Sequence, residues 1–186
     1  MRRRLSALLI ILALTACAPE HFAGSDISQA AYASDFKLDD HHGTARSMAD
    51  YRGKAVVLTF GYTHCPDVCP TALAQAAEAV RSLGSRGERV QVLFVSVDPE
   101  RDTAEVLARY VPAFHPSFAG LRGDAVATAQ VAKDFKVFYQ KHPDGAVDHS
   151  AGVFVFDPAG RLRLYHSASK SAADLAHDLN LLLAKG

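Results

Sequence analysis

The chain has 186 residues, with 49% hydrophobic and 22% charged residues, and 20 basic against 20 acidic side chains. That length and balance suit one globular domain and exclude a disordered or highly charged chain. The acidic residues all follow Cys17 and three of the basic ones precede it. The chain beyond Cys17 therefore holds 17 basic and 20 acidic residues, a net charge of −3 with no basic block, which argues against a nucleic-acid partner.

In chain order, Arg2, Arg3 and Arg4 form a positive start, and Leu5 to Leu14 form an apolar run. The run is too short for a transmembrane helix, which needs about 20 residues, so residues 1–16 read as a secretory signal. Leu14-Thr15-Ala16-Cys17 looks like a bacterial lipobox, cut before the cysteine and acylated on it. The other reading is an ordinary cleavable signal that happens to carry a cysteine. Small residues before Cys17 and a linker-like stretch after it favour the lipoprotein. Acylation at Cys17 would anchor the protein to a membrane of the bacterial cell envelope, with its domain in the periplasm or otherwise outside the cytoplasmic membrane.

Residues 17–34 are rich in Ala and Ser without a sustained period and read as a tether. Residues 35–186 suit a single domain. Phe36-Lys37-Leu38 and the turn at Gly43 suggest an added N-terminal hairpin. Lys54 to Phe60 is a continuous apolar run, as in a strand buried on both faces. Pro70 to Leu83 reads as a helix with Leu73, Ala76, Ala77 and Val80 on one face, closed by Gly84. Val90 to Val97 is a second buried strand ending at Asp98-Pro99. Thr103 to Val111 is a helix that Thr103 or Asp102 caps, and Asp124 to Phe135 is a third, capped at or just before Asp124. Val153 to Phe156 and Leu162 to Tyr165 flank Asp157-Pro158-Ala159-Gly160 as a late β-hairpin. Ser171 to Ala184 is a closing amphipathic helix. This order predicts an α/β sandwich. A cysteine pair at the first strand-to-helix junction makes it thioredoxin-like by fold analogy.

With Cys17 lipidated, only Cys65 and Cys69 remain as thiols. A bridge closing so short a loop constrains the unfolded chain little, so a purely structural disulfide explains the pair poorly. Cβ atoms at i and i+4 of a helix lie about 5–6 Å apart, whereas a disulfide wants about 3.8 Å. A bridge would strain a regular turn and would be readily reduced. A metal relaxes that demand, because bonds of about 2.3 Å let the sulfurs sit roughly 4 Å apart. The pair is therefore either redox-active or half of a soft-metal site. Pro70 disfavours the α conformation at Cys69 and suggests that Cys69 lies near the N-cap, with Pro70 first in the helix. Free N–H groups there favour thiolate, and His64, if protonated, would push the same way.

A third donor is needed for a metal. His149, in Asp148-His149-Ser150 just ahead of a strand, is the best candidate among nine histidines. Its position leaves open whether it is a ligand or a surface loop histidine. His41, His42, His115, His142, His166 and His177 read as solvated or packing residues, His64 as a neighbour that tunes the thiols, and Asp67 as a helix cap or a support behind the metal ligands. Two thiolates and an imidazole suit Cu(I), or Zn(II) with a fourth donor; Cu(II) would want one donor more.

Three motifs carry a resemblance. Gly61-Tyr62-Thr63-His64-Cys65-Pro66-Asp67-Val68-Cys69-Pro70, Val95-Ser96-Val97-Asp98-Pro99-Glu100-Arg101-Asp102 and Val147-Asp148-His149-Ser150 resemble the Sco/SenC family of copper proteins. The similarity runs from about Phe36 to the C-terminus. The resemblance implies a thioredoxin-like fold with an added hairpin and one copper ion held by Cys65, Cys69 and His149. It also implies a role in assembling the copper-A centre of cytochrome c oxidase. Partners would be the copper-A subunit, and other copper carriers or thiol reductases. Asp98 matches an acid that looks structural or docking. Two roles stay open: a copper chaperone, and a thiol–disulfide oxidoreductase in which Cys65 and Cys69 are the catalytic residues. A peroxidase-like or copper-dependent redox sensor would use the same thiolate chemistry.

Overall fold

The computed structural model describes residues 21–30 and 35–184. In chain order its strands and α-helices are β1 Ser25–Asp26, β2 Leu38–Asp40, β3 Ala45–Arg46, β4 Ala55–Gly61, α1 Val68–Ser82, β5 Val90–Ser96, α2 Ala104–Tyr110, β6 Ala119–Arg122, α3 Ala125–Asp134, β7 Tyr139–Lys141, β8 Val147–His149, β9 Gly152–Phe156, β10 Leu162–Ser167 and α4 Ala172–Ala184. The main sheet runs β1-β10-β9-β4-β5-β6-β2-β3, and β7 and β8 form a separate ribbon. The expected signal and residues 17–20 (Cys17 among them) and 31–34 of the expected tether lie outside the described residues.

The two apolar runs become the middle of the sheet. β4 and β5 are parallel and buried along their whole length, so both faces must be covered. Side chains alternate across a strand, and this sorts the core. Leu58 and Phe60 share a face with Phe154 and Phe156. There Phe135, at the end of α3, packs its ring 5.5 Å from Phe60 and 5.3 Å from Phe154. Thr59, Gly61 and Phe94 point to the opposite face, under α1 and α2. Leu164 and His166 join them from β10, under α4.

Both expected hairpins form. β2 and β3 turn at Gly43, whose φ of 78° is the left-handed region that glycine enters without penalty. β9 and β10 turn through Asp157–Gly160, with the Asp157 carboxylate accepting N–H bonds from Ala159 and Arg161. Thr103 caps α2 and Asp124 caps α3, each accepting a first-turn N–H.

Four elements differ from the sequence reading. The tether residues Ser25–Asp26 add a short edge strand to β10. β6 joins β5 in parallel; its sequence Ala-Gly-Leu-Arg is too short for a period. The β7–β8 ribbon occupies what reads as a Gly- and Pro-rich loop. Finally, α1 begins before Pro70. Asp67 is its N-cap position, so Cys69 is its second residue and Pro70 its third. The first N–H groups of a helix have no intrahelical partner, so a proline in the first turn forfeits nothing.

Candidate metal centre

β4 ends at Gly61, and the chain turns through Tyr62–Pro66 into α1. The Cys65 N–H bonds to the Tyr62 carbonyl at 3.2 Å, fixing that turn. Cys65 and Cys69 are both buried and both free thiols. Cys69 lies against the end of β4 so closely that a Cβ on Gly61 would stand 2.8 Å from its sulfur and 2.7 Å from the Phe94 ring. Any larger residue at 61 would displace the thiol.

His149 closes the third side from β8. Its Nε2 lies 3.3 Å from the Cys69 sulfur, and its Nδ1 lies 3.1 Å from the Ser150 carbonyl. The Tyr62 ring stands edge-on, 6.1 Å away. The ligand atoms of Cys65, Cys69 and His149 all fall within 4.8 Å of one another. Three donors bound to one ion at about 2.0–2.3 Å can be at most about 4.6 Å apart, so a shift of a few tenths of an ångström would bring them into bonding range. Two sulfurs and one imidazole nitrogen are a soft donor set.

The two thiols differ in environment. Burial pushes Cys65 up, but N–H groups of Asp67, Cys69 and Val68 at the start of α1, together with the Cys69 thiol, outweigh it and hold Cys65 below its ordinary value. Cys69 lies deeper, and burial pushes it up to about 12. The helix terminus therefore favours thiolate at one sulfur only, where the sequence suggested both. Asp67 accepts no helix N–H through its side chain, which instead takes the Thr71 hydroxyl at 3.4 Å. His64 faces outward, its Nδ1 3.2 Å from the Thr63 hydroxyl and 4.0 Å from Asp102.

The acidic motif after β5 holds both halves of the site. Asp102 reads as a helix cap, but its fully buried carboxylate reaches back to the cysteine turn. It accepts the Thr63 hydroxyl and the Ser96 hydroxyl, each at 2.6 Å, and the Thr63 N–H. Asp98, also fully buried, pairs with Arg101 and, at 2.6 Å, with Lys141 of β7. Arg101 in turn donates to the Gly145 carbonyl at 2.5 Å and lies 5.7 Å from the centre of the Tyr62 ring. Tyr62 accepts the Val147 N–H at 3.4 Å. Asp98 thus pins the ribbon carrying His149 to the end of β5. Asp102, Arg101, Lys141 and Tyr62 were missed as supports, because only the tertiary fold brings them to the ribbon and the cysteine turn.

Asp98→Asn is expected to cost about 2 kcal/mol. Breaking a buried pair costs roughly 3–5 kcal/mol, but both cations here are partly exposed, which lessens the loss. A urea titration should show a lower midpoint with an unchanged slope, and amides of residues 139–149 should exchange faster than those of β4.

Of the remaining histidines, two are packing groups. His41 accepts the Gly120 N–H at 2.9 Å, and His166 bonds Asp178 at 2.8 Å. His142 pairs with Asp148 at 2.9 Å.

An α/β sandwich with a Cys-x-x-x-Cys turn facing a histidine from a separate ribbon defines a thioredoxin-like domain built for soft-metal or thiol chemistry. Residues 24–184 match the family model described as SCO1/SenC, and the chain belongs to that family. The bovine (Bos taurus) "Protein SCO2 homolog, mitochondrial" is 42% identical over 157 residues, which cover 81% of this chain and 59% of the relative. The chain thus spans well under two thirds of that relative's length. The solved structure of Bradyrhizobium japonicum ScoI with copper bound is 36% identical with a TM-score of 0.73, covering 80% of this chain and 97% of the other. A SCO1/SenC family lipoprotein from Bacillus anthracis str. Ames is 26% identical with a TM-score of 0.71, covering 80% of this chain and 92% of the other. No described helix is long and apolar enough to cross a membrane.

Proposed function

We propose that this chain is a lipid-anchored copper carrier of the bacterial envelope that binds one Cu(I) through Cys65, Cys69 and His149. It delivers that ion to the copper-A centre of cytochrome c oxidase, on the subunit bearing that centre. The carrying observation is the convergence of three soft donors from two segments about 80 positions apart. Family membership supports the reading, as does a copper-bound relative with 36% identity. The lipobox at Cys17 and the lipoprotein relative support the anchor.

Copper is cargo here, so the site must release it. Cys69 is the deep ligand, wedged against Gly61. Cys65 and His149 line a shallow depression with Tyr62, Pro66, Asp67, Val68, Val147 and Asp148. An acceptor thiolate enters from that side and displaces the neutral imidazole first. The Cys65 bond then exchanges, and the buried Cys69 bond breaks last. Cu(I) suits this path because it tolerates three ligands throughout. Cu(II) would need a further donor, and among the described residues no fourth His, Cys, Asp or Glu side chain joins the three. Titrating the reduced, signal-free chain with Cu(I) in competition with a chelator tests the reading. One tightly held ion per chain is expected; none would refute it.

The unequal thiols favour a second reading, in which the chain reduces the acceptor's cysteines. The Cys65 thiolate attacks a partner disulfide and forms a mixed disulfide, releasing one partner thiolate. Cys69 then gives up its proton and attacks Cys65, releasing the second thiolate and leaving the Cys65–Cys69 disulfide. The partner gains two electrons and the pair loses two. Brief alkylation of the reduced apo protein at neutral pH should modify Cys65 at least about tenfold faster than Cys69, read by peptide mass. Equal rates would remove the basis for assigning Cys65 as the attacker.

A further inference from the structure

We propose that residues 21–27 are a strap that turns the copper site towards the membrane, rather than the start of a free tether. The orientation rests on the lipid-anchored reading above; the strap itself does not.

The segment is bound by two elements, β10 and α4. Ser25 and Asp26 pair with Tyr165 and Leu164, and the Ile27 N–H bonds the Arg163 carbonyl at 2.9 Å. Ahead of them, the N–H groups of Ala23 and Gly24 donate to the two carboxylate oxygens of Asp178 on α4, each at 2.8 Å. Asp178 is fully buried, and its second oxygen also takes the Nε2 of the buried His166 at 2.8 Å. His177 reaches the His21 carbonyl at 3.1 Å. A Cβ on Gly24 would stand 2.6 Å from the His166 ring, so the position needs glycine. A buried carboxylate that accepts two backbone N–H groups is a deliberate clasp, since burying it unpaired would be costly.

The strap has a direction. It runs antiparallel to β10, so residues 21–24 lie at the end of β10 and the second turn of α4, and residues 25–27 run away from that end. The same end carries the groove lined by Cys69, His149, His166, Ser167 and Lys170. The chain therefore enters the domain at the same end of the sheet as the metal centre, with β10 and β9 between β1 and β4. Three residues separate Cys17 from His21, and the four extended steps between them cover at most about 14 Å. A free tether from Cys17 to Asp35 would reach about 60 Å. The strap thus holds the anchor point within that reach of His21, at the end of the sheet that carries the site, and keeps that end near the headgroups. Copper-accepting sites that lie at the membrane surface are the partners this arrangement fits.

Two measurements test it. On the signal-free chain, the amides of Ala23, Gly24 and Ile27 should exchange at least about 100-fold more slowly than an unstructured chain. Gly24→Val should abolish that protection, and so should Asp178→Asn, which keeps the side chain's size; far-UV circular dichroism confirms folding. Exchange at unstructured rates in the wild type would overturn the strap. The acylated full chain is then placed on phosphatidylcholine vesicles carrying a headgroup nitroxide. A clickable fluorophore sits either at Val68, 44% exposed beside Cys69, or at exposed Ser85 beyond the far end of α1. Val68 should be quenched at least threefold more than Ser85, and Gly24→Val should erase the difference. Equal or reversed quenching in the wild type would overturn the orientation. Absence of acyl mass on Cys17 would overturn the anchored reading and the orientation with it, leaving amide exchange to decide the strap alone.

Discussion

Cys69→Ser is expected to abolish Cu(I) binding, lowering affinity by more than about 1,000-fold, or over about 4 kcal/mol. Serine offers a hard, protonated oxygen where a soft thiolate is required. Nothing nearby substitutes, because Cys65 and Cys69 are the two free cysteines of the described chain. The loss should appear as metal stoichiometry falling from one to near zero at micromolar protein. The fold should persist, since serine is no larger than cysteine and fits the space against Gly61 and Phe94. Cys65→Ser should behave alike. If either variant retained one tightly held ion, both sulfurs could not be ligands. A single-cysteine variant that still completed oxidase assembly would exclude the carrier mechanism as drawn.

His149→Ala should weaken Cu(I) binding by about 100-fold, or about 2.7 kcal/mol, at the upper end of what removing a supporting group around a metal costs. The effect is smaller than for cysteine because two thiolates still hold the ion. The imidazole is partly exposed at the end of β8, so its removal leaves the fold and both thiols intact. The variant should still titrate two thiols with Ellman's reagent. This split separates the two proposed roles: a carrier needs the imidazole, and a reductase does not. Full reductase activity with defective copper binding would show that His149 serves the metal alone. Unchanged copper affinity would remove His149 from the ligand set.

The central strands were legible because burial on both faces leaves an uninterrupted apolar run: Lys54 to Phe60 anticipates β4 and Val90 to Val97 anticipates β5 within a residue. Thr103 and Asp124 were legible as caps because their role is local. The site was legible in its parts, since a Cys-x-x-x-Cys turn after a buried strand is a local signal. Position alone left His149 undecided, and only resemblance assigned it. The missing information was tertiary. β7 and β8 are three residues each, mostly polar, and are held by Asp98, Arg101 and Lys141 rather than by their own propensity. Asp102 read as a cap because a sequence shows neighbours, and its true partner, Thr63, is 39 positions away. His166 read as a surface or packing residue, and the fold buries it on Asp178. The start of α1 was misplaced because a proline marks a first turn without saying which of its positions it takes.

The most direct test of the metal centre is X-ray absorption at the copper edge of the reduced, signal-free chain loaded with one equivalent of Cu(I). Two sulfur scatterers and one imidazole nitrogen are predicted, with the imidazole contribution lost in His149→Ala. A shell of sulfur alone, identical in the wild type and in that variant, would contradict the three-donor site.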